Sequence, residues 1–203
     1  MNYLFVRRRY PMSASYRLKP ARVAYFEAVG WRAYYEHNWL KVLRLIVALC
    51  QEQFHIPFPL SLLAGYYTTR ASVAWVPIDH NVQDVLTYLR KFYRIAQRYS
   101  RLHFDVERVA TLELQYFVVH RDLSGKEDKT ELIQTMADLH SAIFGITPAQ
   151  ALASAELRVL AMNTVDLITS KTSLDPASDW AKLEEYLRQC YTSIEREQAA
   201  TRL

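Results

Sequence analysis

Six polar residues in the second half of the chain fall where a helix would place its apolar side. Glu113 is flanked at helical spacing by Val109, Tyr116 and Phe117, and His120 lies seven residues on, two turns along the same side. His140 has Ile133, Met136, Ala137 and Phe144 as helical neighbours. Glu156 lies beside Leu152, Val159 and Leu160, and Asn163 and Asp166 continue that stripe. An unpaired carboxylate removed from water costs several kcal/mol, so inward acids and imidazoles must pair, take a ligand or border a wet cleft. The economical arrangement is that they meet. The spacing therefore predicts an interior polar pocket lined by Glu113, His120, His140, Glu156, Asn163 and Asp166, with Arg158 or Arg121 neutralising it. Such a pocket would take a small molecule. His120 and His140 would act as acid–base groups or ligands, and Glu113 would orient one of them. The plainer alternative is that each group is satisfied by a neighbour and does nothing more.

A divalent metal is the narrower form of this reading. Zinc or iron would suit a mononuclear set of Glu113, His120 and His140. A di-iron bundle needs Glu-x-x-His on each of two helices, and only Glu52-Gln53-Phe54-His55 fits, at a helix end against Pro57. His120-Arg121-Asp122-Leu123 spells the start of a kinase catalytic loop, with Asp122 in the place of the base. Five residues later the metal-binding Asn is replaced by Glu127, and the four glycines are too dispersed to build a phosphate-covering loop. The common nucleophile and metal signatures are also missing.

The elements that must position these residues are helical almost throughout. Residues 1–19 read as an extended basic arm, and 20–203 as one all-α domain, a bundle of about seven helices with short loops. Pro20 serves as a first helical residue, and a long helical segment spans about 21 to 54, bending near Gly30 or restarting at Asn38. Its expected core stripe is Trp39, Val42, Leu43, Ile46, Leu49 and Cys50. Pro59 opens a helix to Trp75, Asn81 caps one to Tyr99, and Asp105 starts one to His120 or Arg121. Asp128–Phe144 should begin with a capping box between Asp128 and Glu131. Thr147–Ser170 opens on Thr147-Pro148-Ala149-Gln150, which supplies cap, proline and Gln in order. Ser178 or Asp179 caps the last helix, to about Ala199.

The 203 residues are half hydrophobic, and the net charge is only +4, but that charge is unevenly placed. Residues 1–44 hold nine Lys/Arg against Glu27 and Glu36, and twenty of the twenty-six aromatics precede residue 105. Arg90, Arg94 and Arg98 recur at four-residue spacing with Tyr88, Tyr93 and Tyr99 interleaved and no acid on that face, so this face could bind anions. No helix-turn-helix or RNA-binding signature accompanies it, which ranks nucleic acid behind other partners. The arm aromatics Tyr3, Phe5, Tyr10 and Tyr16 are expected to strap the bundle or a second subunit, and Trp31, Tyr34, Tyr35 and Trp39 to form core or dimer surface. Two cysteines make no disulfide framework, which points to free thiols in the cytoplasm. The longest uncharged stretch, Ile56–Thr69, is too short for a membrane span and carries two prolines. Two functions follow. One is an interior pocket for a small molecule or metal, perhaps catalytic. The other is a non-enzymatic interaction protein whose interior polar groups pair with one another while the basic aromatic N-terminal half docks a partner, a second subunit or an anionic surface.

Overall fold

The computed structural model describes residues 16–201, and every regular element among them is helical. The arm residues 1–15 lie outside the described residues, as do Tyr3, Phe5 and Tyr10 with them. Eight helices follow: α1 (Pro20–Tyr35), α2 (Trp39–Phe54), α3 (Leu60–Trp75), α4 (Val82–Ser100), α5 (Val106–Asp122), α6 (Thr130–Phe144), α7 (Pro148–Thr169) and α8 (Pro176–Ala200). The count is eight because the 21–54 segment restarts at Asn38. His37 takes a left-handed backbone there (φ 56°), and the Asn38 side chain accepts the Lys41 amide at 3.2 Å. Gly30 stays inside α1.

The local punctuation behaves largely as its chemistry requires. Asn81 and Asp105 cap α4 and α5, accepting the amides of Gln83 and Arg108. Thr147 and Gln150 form the reciprocal capping box of α7. Two starts differ from the expected ones. Asp128 accepts from the Thr130 amide at 2.9 Å instead of that of Glu131, so no capping box forms at α6. The cap of α8 is Asp175, followed by Pro176 at the first helical position, and Ser178 is its amide donor.

Each helix packs on the next in sequence, and α1 also packs on α8, so the eight close into a circuit of up-and-down neighbours. Short connections favour this alternation, because a three- to seven-residue loop returns the chain antiparallel to its neighbour. At one end, Tyr16 donates to the Gln53 carbonyl and contacts Phe144, while Gln198 donates to the Phe144 carbonyl. At the other end, Arg121 lies 4.0 Å over the Trp75 ring and donates to the Trp75 carbonyl, joining the C-termini of α5 and α3. The α2–α3 crossing is tight at Gly65. A Cβ there would sit 2.8 Å from the Ile46 methyl, which explains a glycine in mid-helix.

Small residues let the helices approach: Ala24, Ala64, Ala71, Ala96, Ala137, Ala151, Ala155 and Ala161 are all buried, with Leu89, Leu183, Leu187 and Ile194 filling between them. The expected stripe of α2 holds at Ile46, Leu49 and Cys50, which pack on the core, and fails in the first turns. Leu45, Cys50 and Phe54 are buried, whereas Trp39 and Leu43 are exposed. In the first turn of α2, Trp39 lies against Tyr34 and His37 of the preceding turn instead of entering the core.

Candidate functional site

The middle of the bundle holds a polar cluster, and its hub is Arg158 on α7. One guanidinium nitrogen lies 2.5 Å from Glu27 of α1, whose side chain is almost fully buried. Tyr191 of α8 donates to the other Glu27 oxygen at 2.6 Å. The Trp31 ring lies under the guanidinium at 4.9 Å, a cation–π contact that covers its flat face. On the neighbouring side Tyr93 of α4 donates to Glu113 of α5, and Tyr116 points its hydroxyl at the Met162 sulfur at 3.5 Å. His140 of α6 lies 2.8 Å from the Ser154 hydroxyl, which donates to the Ala151 carbonyl. A hydroxyl that has spent its proton must accept, so the neutral imidazole carries its own proton on Nδ1.

Burial and the Arg158 charge set the protonation of this cluster. Loss of solvent is the main cause that lowers His140, to about 3, and the guanidinium adds to it, so the ring is neutral. Loss of solvent raises Glu113 above the ordinary carboxylate range, with Glu27 adding to the rise and the Tyr93 hydrogen bond and Arg158 opposing it. Burial pushes Tyr116 and Cys190 up to about 12. Arg158 is driven further into its charged form by Glu27, against its own desolvation. Its Nε has no hydrogen-bond partner among the described residues.

The expected pocket residues therefore separate. Glu113 and His140 both lie in the field of Arg158, and Arg158 is the neutralising cation. His120 stacks on Tyr116 at 5.8 Å and interacts with Asp166 near the bundle end; burial lowers its pKa. Asp166 and Asn163 are half-buried. Glu156 is a correction: it is exposed, because Ser154, Ala155 and Val159 form the buried side of that part of α7 and turn Glu156 outward. Arg121 is spent on Trp75. Among the described residues, no group of three or more His, Cys, Asp or Glu side chains is arranged to hold a metal. Glu52 is taken by Lys19 and Arg22 at 3.2 and 2.9 Å, and His55 has left the helix for a left-handed conformation (φ 55°). Arg90 and Arg94 are a second correction. Glu107 of α5 reaches across to them at 2.5 and 3.4 Å, while Arg98 lies against Tyr99. A cleft of about 220 Å³ is lined by Tyr16, Arg17, Leu18, Glu195, Gln198 and Ala199, none of them from the interior cluster.

Three members of the cluster escaped the sequence reading. Glu27 sits between Val23, Ala24, Ala28 and Trp31, so the criterion of an acid on an apolar stripe would have found it. Tyr93 and Tyr191 carried no signal, because a tyrosine on a core stripe is equally at home as plain packing.

A second feature lies at the bundle end where α1 meets α2, α3 meets α4, α5 meets α6 and α7 meets α8. Tyr35 interacts with Asp166, and Arg121 with Trp75, which places these four connections together. Large apolar side chains protrude here. Leu40 is 85% exposed, Ile78 93%, and Leu174 fully, with Trp39, Val76 and Leu167 each more than half exposed. Tyr34 touches both Tyr35 and Trp39 edge-on, so the α1–α2 turn carries an aromatic knob in water. Scattered apolar residues on a surface are ordinary, but their concentration at the helix ends and connections of one end is not. No helix among the described residues is long and apolar enough to cross a membrane. No protein-family model matches this chain, and no curated protein and no solved structure matches it.

Proposed function

We propose that the chain is a non-enzymatic helical interaction protein that docks another surface through the apolar end built by the α1–α2, α3–α4 and α7–α8 connections. The observation that carries this reading is the exposure of Leu40 in the first turn of α2 and of Ile78 and Leu174 in two connections of the same end. Leaving such groups in water forgoes about 1.5–3 kcal/mol for each that a partner would cover. The interior cluster serves the fold in this reading. Glu27 is satisfied by Arg158 and Tyr191, and Glu113 is closed by Tyr93. Buried, unbridged Cys50 and Cys190 agree with a reducing cytoplasm. The test is the triple variant Leu40→Glu, Ile78→Glu, Leu174→Glu. It is expected to keep the helix content and melting temperature of the parent, since none of the three is core. It should lose retention on a phenyl matrix or change its mass in solution. A variant indistinguishable from the parent in both respects would overturn the reading.

A second reading, an interior site for a small anionic ligand, draws on the Arg158 Nε, which has no hydrogen-bond partner among the described residues, and on Glu113 held above its ordinary range. A small carboxylate of this kind would raise the melting temperature in a screen of metabolites, and the rise would vanish in Glu113→Gln. A screen in which no compound shifts the parent removes this reading.

A further inference from the structure

We propose that the outer side of α3 docks on an anionic lipid surface, lying in its interface without crossing it. This goes beyond the end-face reading and uses a different side of the bundle. α3 is built inside out. It buries its small residues, Ser61, Ala64, Gly65 and Ala71, and turns its large apolar ones to solvent. Leu62, Tyr66 and Val73 follow one another at helical spacing and are 41%, 50% and 55% exposed, with Leu63 beside them and Phe58 just ahead in the α2–α3 connection. The outer side of a water-facing helix is ordinarily polar; this one has an aliphatic and aromatic crest. The packing explains the inversion. α2 and α4 also touch each other behind α3, and the crossing at Gly65 has no room for a Cβ, so α3 rides over the seam as a ridge. At 16 residues it is too short to span a bilayer.

The charges flanking the ridge choose the occupant. Residues 53–78 contain no acid. On the α4 flank, Lys91 lies over the Tyr67 and Tyr88 rings and Arg70 over Tyr88, while Arg98 stands two turns beyond Lys91 on the same side of α4. On the α2 flank, Gln51 donates to Ser61 and Val47 lies beside Gly65, which puts Arg44 on the stripe that faces α3. None of Arg44, Arg70, Lys91 and Arg98 makes an ion pair among the described residues. Of the surrounding acids, Glu52 is closed by Lys19 and Arg22, and Glu107 by Arg90 and Arg94. Asp79, Asp84 and Glu36, the last closed by Arg32, stand past the C-terminal end of α3, so mixed charge is confined to that end. An anionic bilayer satisfies both features at once. Its acyl boundary takes the crest, and its phosphates take cations whose stems reach over apolar surface. Nucleic acid matches the flanks alone, because the Tyr67 and Tyr88 rings already carry cations and the crest is largely aliphatic. Two copies joined on this side by a two-fold axis would oppose like charges.

The experiment floats the full chain with phosphatidylcholine vesicles, with and without phosphatidylserine, over a range of salt. The parent is expected to float with the phosphatidylserine vesicles and to be released as salt rises. Leu62→Gln/Val73→Gln should weaken that binding at least about tenfold. Arg70→Gln/Lys91→Gln should bring it down toward the level on phosphatidylcholine alone and flatten its salt dependence. None of the four residues is core, and circular dichroism checks that each variant keeps its helices. A parent that stays at the bottom of the gradient, or folded variants that float as the parent does, would overturn the proposal. A parent that binds a single-stranded oligonucleotide and no vesicle would overturn it in favour of nucleic acid. A dimeric mass by light scattering that Leu62→Gln/Val73→Gln abolishes, without flotation, would overturn it in favour of a second copy. The end-face variant Leu40→Glu, Ile78→Glu, Leu174→Glu alters none of the ridge residues, so the two readings fail separately.

Discussion

Replacing Arg158 with methionine is expected to cost about 3–5 kcal/mol of stability, the range for breaking one partner out of a buried ion pair. The cost comes from what is left behind more than from the contact removed. Glu27 loses its 2.5 Å counter-charge and keeps only the Tyr191 hydroxyl, inside a bundle where its side chain has almost no access to water. It must then take up a proton or draw water between α1 and α7. The double variant Glu27→Leu/Arg158→Met removes both charges and should recover much of the loss, since apolar replacement of a whole buried pair is often neutral or better. Recovery should remain incomplete, because Tyr191 would lose its acceptor and an orphaned buried hydroxyl costs about 1–3 kcal/mol. Urea unfolding followed by circular dichroism measures all three chains, and Trp31, which lies 4.9 Å under the guanidinium, offers a fluorescence signal at the site. A single variant that loses less than about 1 kcal/mol, within the range of an exposed ion pair, would mean the cluster is more hydrated than its burial indicates.

The second large effect is acid destabilisation through His140. Its folded pKa is lowered to about 3 from the usual 6.5, so the unfolded chain takes the proton first as pH falls. The stability tied to the neutral ring is complete above pH 6.5 and is lost progressively between 6.5 and 3. On the order of 3 kcal/mol is at stake by pH 4. Glu113 acts the other way. Its folded pKa is raised, so the folded state holds its proton to higher pH and gains relative stability as pH drops toward the ordinary carboxylate range. The measured slope is therefore shallower than His140 alone would give. His140→Asn keeps a donor near the Ser154 hydroxyl and cannot charge, so its urea midpoint should vary less between pH 7 and pH 4 (about 6.5 being where the loss begins). Glu113→Gln should make the acid loss steeper. Equal pH profiles for parent and His140→Asn would show that the imidazole can be protonated without unfolding.

Much of the fold was legible from local chemistry. Asn81, Asp105 and the Thr147–Gln150 box cap the helices they were expected to cap, and Pro20 begins the first one, because a cap or a proline acts within one turn of itself. The break at Asn38 was one of two alternatives, and the left-handed turn at His37 decided between them. The interior polar cluster was legible only in part. An acid or imidazole on an apolar stripe announces that it needs a partner, which is why Glu113 and His140 were found; the stripe does not say which partner, and Arg158 was one of two cations offered, with Arg121.

By itself the chain of residues determined about seven helical segments, most of their caps and the need to satisfy several inward polar groups, since periodicity, capping and desolvation are properties of a helix and its immediate neighbours. Only the tertiary structure decided that Arg158 closes on Glu27, 131 residues away in sequence, that Glu107 reaches back to Arg90 and Arg94, and that Glu156 turns outward. The same holds for Trp39, Leu40, Ile78 and Leu174, whose side chains look like core in one dimension and stand in water in three. The physical reason is that burial depends on which helices close over a residue, and the rotation and height of each helix in the circuit are set by its packing partners rather than by its own pattern.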